Sequence, residues 1–429
     1  MPRIGIVGGG VGGTQLGLFL RKHGIAATIY SDKTPAQHLE ARISNVVCRS
    51  GTTRARERAL GIDHWDRLAP DLEQFVVTVN GPRPLEFSGA LAPPAHVVDM
   101  RIYWARLLED FEAAGGELVY GTLGARDVAE LATEHDLVVV ASGRGTLSTL
   151  FPRLAEHSPF SEPQRLVVAG VFRGIGYPAP LSFNAVVNRG HGEILAFPMF
   201  SFEPGATALG IEIARGGAFS PLTQMKYETH PEEFEATVLG LLRDYAPGIY
   251  ARVDHDRFGV AGPLDLGHAA IAPTVRRGYA RLPNGKLTVA LGDAHIVMDP
   301  VTGQGANKAS HAAWVMGEAI RDAAAFDEEF CRRVEQRMLE FALPVSDACN
   351  ARLQPPPPHV AAFLGTAAQH QAAADFYTSA FNYPDRVWKI LSSPERTEWI
   401  TKRLTEEPSL APFEWDAVAE LSSATGARG

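Results

Sequence analysis

Gly8, Gly10 and Gly13 stand in the spacing G-x-G-x-x-G inside the stretch "GIVGGGVGG". Each glycine has a separate physical task in a loop that faces a pyrophosphate. The first allows a tight turn, the second lets the backbone approach the ligand, and the third lets the next helix lie against the strand. Val11 opens that helix, whose free N–H groups and partial positive charge suit an anion. Far along the chain, "LGDAHIVMDPVTGQGANKASHAAW" holds a second constellation. Asp293 ends an apolar run, Pro300 follows, and Gly303, Gly305, Ala306 and Asn307 open an alanine-rich helical pattern. A carboxylate there can accept hydrogen bonds from polyol hydroxyls, and a helix start beyond it can stabilise negative charge on a ring.

Both loops fit the two ends of one long ligand. A nicotinamide dinucleotide needs one glycine loop and its neighbours, whereas FAD carries a ribityl chain and an isoalloxazine well past the first helix. We therefore expect FAD, with Asp293 on ribityl or phosphate oxygens and the 303–307 loop at the flavin's pyrimidine edge. An acidic residue at the end of the second strand usually holds the adenosine ribose. Here Ser31 occupies the usual position and Asp32 follows it, and the sequence does not choose between them. His295 and His311 are tempting acid–base groups, but neither has a carboxylate partner visible in sequence, so structural roles are expected.

Such loops must be held by parallel strands. Residues 3–7 are a short apolar run, "VGGTQLGLFLRKH" has helical spacing, and "AATIY" is a second run, which together make a βαβ unit. "HDLVVVASG" and "KLTVALGD" read as further strands of the same sheet, the former buried on both faces. Between about 165 and 275 the pattern changes to successive β-rich runs separated by Gly, Pro and Asn, which predicts an inserted, mostly antiparallel sheet. "FVVTVNGPRPLEF" reads as a hairpin joining it. After "QPPPP" the chain reads as helices, and the terminal "GARG" is expected to fray. The expected division is a discontinuous nucleotide domain over 1–70, 95–160 and 276–350, a β domain over 71–94 and 161–275, and a helical region over 351–429.

Composition narrows the function classes. The chain has 429 residues, too many for one ordinary core, and a formal charge of −9 that disfavours nucleic acid or an anionic membrane. Its cysteines are three, Cys48, Cys331 and Cys349, with no paired spacing, which predicts a reduced compartment, no disulfide framework and no metal site. No run reaches the length of a membrane span and a strand pattern starts by residue 3, so a cytoplasmic protein is expected.

These motifs together resemble the flavoprotein hydroxylase architecture, in which the early glycine loop and the late "GD…P..GQG.N" both bind FAD. Within it, nearly the whole chain resembles the styrene and indole monooxygenase family, the FAD-dependent epoxidase components of two-component systems. The resemblance runs through "RISNVV", "VVDMRIY", "SPFSEPQR" and the late glycine stretch to "FNYPDRVWKILSSPER", an element that general flavin hydroxylases lack. The fold it implies is α/β: a Rossmann-like FAD domain with an inserted, mostly antiparallel sheet for substrate and a helical C-terminal region. Where the wider class has an Asp-Gly pair tied to pyridine nucleotide, this chain has Ser142-Gly143. That departure agrees with a family that takes reduced FAD from a separate NAD(P)H:flavin reductase, met transiently or by diffusion. A Trp-x-Trp-x-Ile-Pro element, typical of flavin halogenases, is absent.

The resemblance implies that reduced FAD reacts with O2 to a C4a-hydroperoxide whose distal oxygen epoxidises an electron-rich alkene. No protein nucleophile is then required. It places Arg42, Asn45, Val46 and Val47 beside the flavin and substrate, with Pro300 and Val301 opposite, and Gly143 near the cofactor. Arg101 could approach the FAD phosphates or be ion-paired. Substrate walls are expected from Leu72, Phe75, Ala95, Phe197, Met199 and Ile211. Leu72, Phe75 and Ala95 replace polar residues of the styrene-type pattern and lean towards indole, whereas Asn45 and Val47 match the styrene type, so the substrate stays open. So does the oligomeric state, with a homodimer among the options. Two alternatives stand beside this reading: a single-component NAD(P)H-dependent hydroxylase, and a non-catalytic flavin-binding scaffold.

Overall fold

The computed structural model describes residues 2–406; Met1 and residues 407–429, which include Trp415 and the terminal "GARG", lie outside the described residues. A six-stranded sheet carries the first glycine loop. Its order is Tyr279–Arg281, Leu287–Ala290, Leu137–Val140, Arg3–Val7, Ala26–Ser31 and Glu117–Tyr120. All neighbours are parallel except the first two. Leu137–Val140 is buried at every position, as a central strand covered by helices on both faces must be. The helix Val11–Lys22 buries Leu16, Phe19 and Leu20 and lies against the helices Met100–Ala113 and Gly305–Arg321.

The second sheet has nine strands. Along its length run Gly259–Val260, Arg165–Arg173, Thr207–Ala214, Gly192–Pro198, Ser182–Asn188, Leu72–Asn80, Leu85–Val97 and Cys48–Arg49, and Leu266–Ala270 also pairs with Arg165–Arg173. It is antiparallel save where Leu72–Asn80 runs parallel to Ser182–Asn188. That one junction seats the early hairpin in the later sheet. Cys48–Arg49, from a stretch grouped above with the nucleotide domain, pairs with His96 and Val97 at the sheet's edge.

Side-chain alternation gives this sheet two unlike faces. On one, Ile194, Leu209, Ile211 and Ile213 pack with Phe234, Val238 and Leu242 of the helix Pro231–Tyr245. Residues of the other face, including Phe183, Ala185, Leu195 and Gly210, line the two cavities described below.

After the helix Glu328–Arg352 the proline run breaks the chain, and the helices Pro358–Ala367, Gln371–Thr378, Pro384–Leu391 and Pro394–Glu406 follow. The "FNYP" element is tied back to the body of the protein. Gln304 donates to the Phe381 carbonyl at 3.1 Å, and Asn382 accepts from the Gly51 N–H at 2.8 Å and donates to the Pro93 carbonyl at 2.9 Å. Among the described residues no helix is long and apolar enough to cross a membrane.

Candidate functional site

A cleft of about 660 Å³ runs across the carboxyl ends of the parallel strands and continues over the second sheet. Gly8 sits in it with φ of 126°, and a Cβ there would lie 2.4 Å from the Ala141 carbonyl oxygen. Gly10 caps the helix Val11–Lys22 without any side-chain hydrogen bond, and the space where its Cβ would stand is open. Those N–H groups at the helix start are therefore available to an anion. Gly13 lies behind the lining, where a Cβ would fall 2.0 Å from the Gly8 carbonyl oxygen. Its smallness sets how closely helix and strand approach.

From there the lining extends both ways. On one side lie Asp32, Lys33 and Gly121, at the ends of the second strand and of Glu117–Tyr120. On the other lie Gly143, Asp293, Pro300, Gly303, Gly305 and Ala306, and Asn45, Val46 and Val47 also line the cleft. The helix Gly305–Arg321 also starts with no side-chain cap. Asp293 accepts from Lys308 Nζ at 3.1 Å, and Arg144 stands 3.9 Å from its other oxygen. Lys308 is 2% exposed and also donates to the Ile296 carbonyl, so Asp293 is fixed in the cleft by a buried ammonium.

Several anticipated contacts lie elsewhere. Ser31 is buried and closes a turn, donating to the Lys33 carbonyl at 2.8 Å, while Asp32 is the one on the lining. Arg42 donates to the Leu266 carbonyl and pairs with Glu228 at 3.0 Å, off the cleft. Arg101 is locked by Asp99 at 2.6 Å and by Asp265. Asn307 is a structural clamp, accepting from the Ser50 N–H and Thr53 and donating to the Cys48 and Gly303 carbonyls. Ile211 faces away, into the core under the helix Pro231–Tyr245, because it has the wrong parity on its strand; its neighbours Gly210 and Glu212 face the cleft.

Leu72, Phe75, Ala95, Phe197 and Met199 gather with Val46 in one apolar cluster. Phe197 lines the cleft. Phe75 and Val301 instead line a second cavity of about 510 Å³, which lies between the same sheet face and the C-terminal helices. Phe183, Leu195 and Gly303 border both spaces. Phe183 stacks on Phe197 at 4.6 Å and meets Phe75 edge-on at 4.6 Å, and Phe381 stands 5.8 Å away. Leu72, Ala95 and Met199 lie behind this array as packing.

Where the cavities meet, Arg165 bonds Glu212 at 2.9 Å and Glu193 at 3.2 Å, two carboxylates in direct cross-strand register. Burial, with the nearby Glu193 and Asp299 charges, holds the Glu212 carboxyl well above its usual range, and burial raises Asp299 as well. This cluster was missed in the sequence. Its signal was present as charged residues inside the apolar runs "GEILAF" and "TALGIEIA".

His295 and His311 have no catalytic geometry. Burial, reinforced by Lys308, pushes His295 down to about 3. His311 stacks on Phe341 at 4.0 Å and is pushed down to about 4, first by burial and then by Arg56 and Arg337. A folded-state value below the ordinary 6.5 means that the unfolded chain binds the proton first, so this contribution to stability is lost as pH falls from about 6.5 towards 4. His311→Phe keeps the stacking, and its unfolding free energy should fall less steeply over that window, by close to one proton's worth of slope. An unaltered slope in urea titrations at several pH values would contradict this.

The chain is 37% identical over 405 residues to the styrene monooxygenase StyA of Pseudomonas fluorescens, spanning 93% of this chain and 98% of that protein, and 36% identical over the same length to that of a Pseudomonas species. The chain belongs to the styrene monooxygenase family. Residues 143–252 also match the family described as "Styrene monooxygenase A putative substrate binding domain". Among solved structures, a flavin-dependent brominase superposes with a TM-score of 0.63 at 14% identity, covering 94% of this chain and 93% of its own. A 2-methyl-3-hydroxypyridine-5-carboxylic acid oxygenase superposes at 0.56 and 14%, covering 87% and 95%. These likenesses show the fold, which is that of the flavoprotein hydroxylases. The family member is an FAD-dependent monooxygenase of the two-component type, with O2 as cosubstrate.

The cleft suits FAD on its own terms. It joins both glycine loops in one channel, two uncapped helix starts open onto it, and the Ser142 hydroxyl on its wall is buried without a partner.

Proposed function

We propose that this protein epoxidises small aromatic alkenes of the styrene or indole kind, drawing reduced FAD from a separate reductase. The observation that carries the substrate class is the apolar cavity beside the second glycine loop, walled by Phe75, Phe183, Leu195, Val301 and Phe381. The chemistry that reduced FAD and O2 supply is transfer of one oxygen atom to an electron-rich double bond. The chain's part is to bind, align and keep dry. In this reading Gly8, Gly10, Val11 and Asp32 hold the ADP half, Gly143 and Asp293 the middle, and Pro300, Gly303, Gly305 and Ala306 the ring. Asn45, Val46 and Val47 close over the ring, where an apolar wall excludes water that would waste activated oxygen. Asn45 carries the side-chain amide on that wall, and Ser44 donates to its oxygen at 3.5 Å.

An assay with any NAD(P)H:flavin reductase and a panel of styrene, indole and thioanisole tests the reading. Epoxide, indigo or sulfoxide should form only when reductase, FAD and O2 are all present. Flavin reduction on mixing the purified protein with NADH alone would favour the single-component alternative. Photoreduced FAD that reacts with O2 but yields no product with any substrate would favour a scaffold. Ala185 lines the second cavity only. Ala185→Phe should therefore cut styrene turnover at least about tenfold while leaving FAD affinity within about twofold. Full turnover in that variant would move the substrate elsewhere. The buried, unpaired cysteines Cys48, Cys331 and Cys349 support a cytoplasmic setting.

A further inference from the structure

Neither Arg42 nor Arg101 is free to serve the ADP half of the cleft. Arg42 and Arg101 are spent on Glu228, Asp99 and Asp265, and Lys33 pairs with Asp32 at 2.7 Å. Two ring nitrogens on the same wall have no such engagement. Trp104, on the helix Met100–Ala113, and His38, on the short helix Pro35–Leu39, both line the cleft. Their rings stand 5.5 Å apart, tilted by 50°. Trp104 Nε1 and His38 Nε2 are both buried with no hydrogen-bond partner.

A buried N–H without an acceptor costs roughly 1–3 kcal/mol, and native proteins rarely leave one so. The Trp104 N–H and a second unpartnered ring nitrogen on one ligand-facing wall point to a polar partner that arrives with the ligand. The sheet order says which part of the ligand. Ala26–Ser31 and Glu117–Tyr120 lie on one side of the first strand, and Leu287–Ala290, which leads to Asp293, lies on the other. The helices bearing His38 and Trp104 pack on each other, and Met100–Ala113 also packs on Val11–Lys22 and on Glu117–Tyr120. This is the side of Asp32, where the adenosine and its phosphates belong in a βαβ nucleotide fold.

We infer that Trp104 Nε1 and His38 Nε2 donate hydrogen bonds to the ADP portion of FAD, at its pyrophosphate or ribose oxygens, in place of an arginine. Both side chains belong to the cleft lining. Burial, then Lys33, holds the His38 imidazole below its usual range, so at neutral pH it is an uncharged ring with one N–H to give. The indole has only a donor, which suits an oxygen that only accepts. The arrangement reads the ligand by neutral donors, and FAD binding should depend on ionic strength less than an arginine clamp would require.

The inference rests on FAD occupying this cleft, and the test separates the two. Cofactor-free wild type is titrated with FAD, ADP and riboflavin by calorimetry; failure to bind FAD at all would sink the cleft assignment itself. Given binding, Trp104→Phe should weaken FAD and ADP about fivefold each and riboflavin less than twofold. Phe preserves the packed ring, and an unchanged melting temperature confirms the fold. His38→Phe should act the same way, while His38→Gln, which restores a donor near the ε position, should recover most of the loss. Unchanged FAD and ADP affinities in both Phe variants, or an equal loss for riboflavin, would overturn the inference.

Discussion

Asp293→Ala is expected to weaken FAD binding at least about tenfold, which corresponds to roughly 1.4 kcal/mol or more. The carboxylate stands on the cleft wall between the two glycine loops and is held there by Lys308 at 3.1 Å. On the proposed reading the substitution removes a ligand contact, and it strips a buried ammonium of its counter-charge. Breaking a fully buried pair costs about 3–5 kcal/mol. The Asp293 side chain is 35% exposed, so water can partly replace it, and a loss of about 1–2 kcal/mol in stability is the better expectation. Asp293→Asn separates the effects, because it keeps an acceptor of the same shape while losing the charge. If calorimetry finds Asp293→Ala binding FAD as tightly as wild type, the residue does not touch the cofactor.

Gly13→Ala should be more damaging still. The added Cβ would lie 2.0 Å from the Gly8 carbonyl oxygen and 3.3 Å from Ile6. The nearest obstacle is backbone, which cannot swing aside as a flexible side chain can. Either the helix Val11–Lys22 lifts from its strand or the glycine turn opens, and each displaces the uncapped N–H groups that the proposed reading gives to the cofactor. We expect FAD affinity to fall by about two orders of magnitude or more, with a stability loss of about 2–4 kcal/mol. Gly10→Ala is the control. Nothing stands within 4 Å of that Cβ, so the protein should fold normally, and any loss reports the approach of the ligand's phosphates alone. A Gly13→Ala protein with wild-type melting and FAD binding would mean that the helix has slack that the structure does not show.

What the sequence made legible follows from how local each signal is. The βαβ start, the central strand Leu137–Val140, the hairpin read over 75–87 (Leu72–Asn80 with Leu85–Val97 in the structure) and the break at the prolines each depend on a few adjacent residues. The glycine loops were readable for the same reason, since backbone torsion and close approach restrict the residue itself. Partnerships between distant residues were not. The resemblance puts Arg42 beside the flavin, and nothing nearby reveals Glu228 as its acid, whereas Arg101, left open between phosphate and ion pair, has Asp99 two residues away and Asp265 far along the chain. The parity of Ile211 is not legible either, because the buried strand "TALGIEIA" has no alternation to reveal it beyond Glu212. Asn307 sits in a loop rich in ligand-like residues, yet its amide is consumed by Ser50, Thr53, Cys48 and Gly303.

The tie from Gln304 to the Phe381 carbonyl, and from Asn382 to Gly51 and Pro93, carries a consequence for biogenesis. A chain emerging from the ribosome presents its first nucleotide loop early, but the far wall of the second cavity, to which Phe381 belongs, is assembled only once residues beyond 380 have been made. Closure of that cavity is then a late event in synthesis, and a nascent chain stalled before that point would expose the greasy inner face of its large sheet to chaperones.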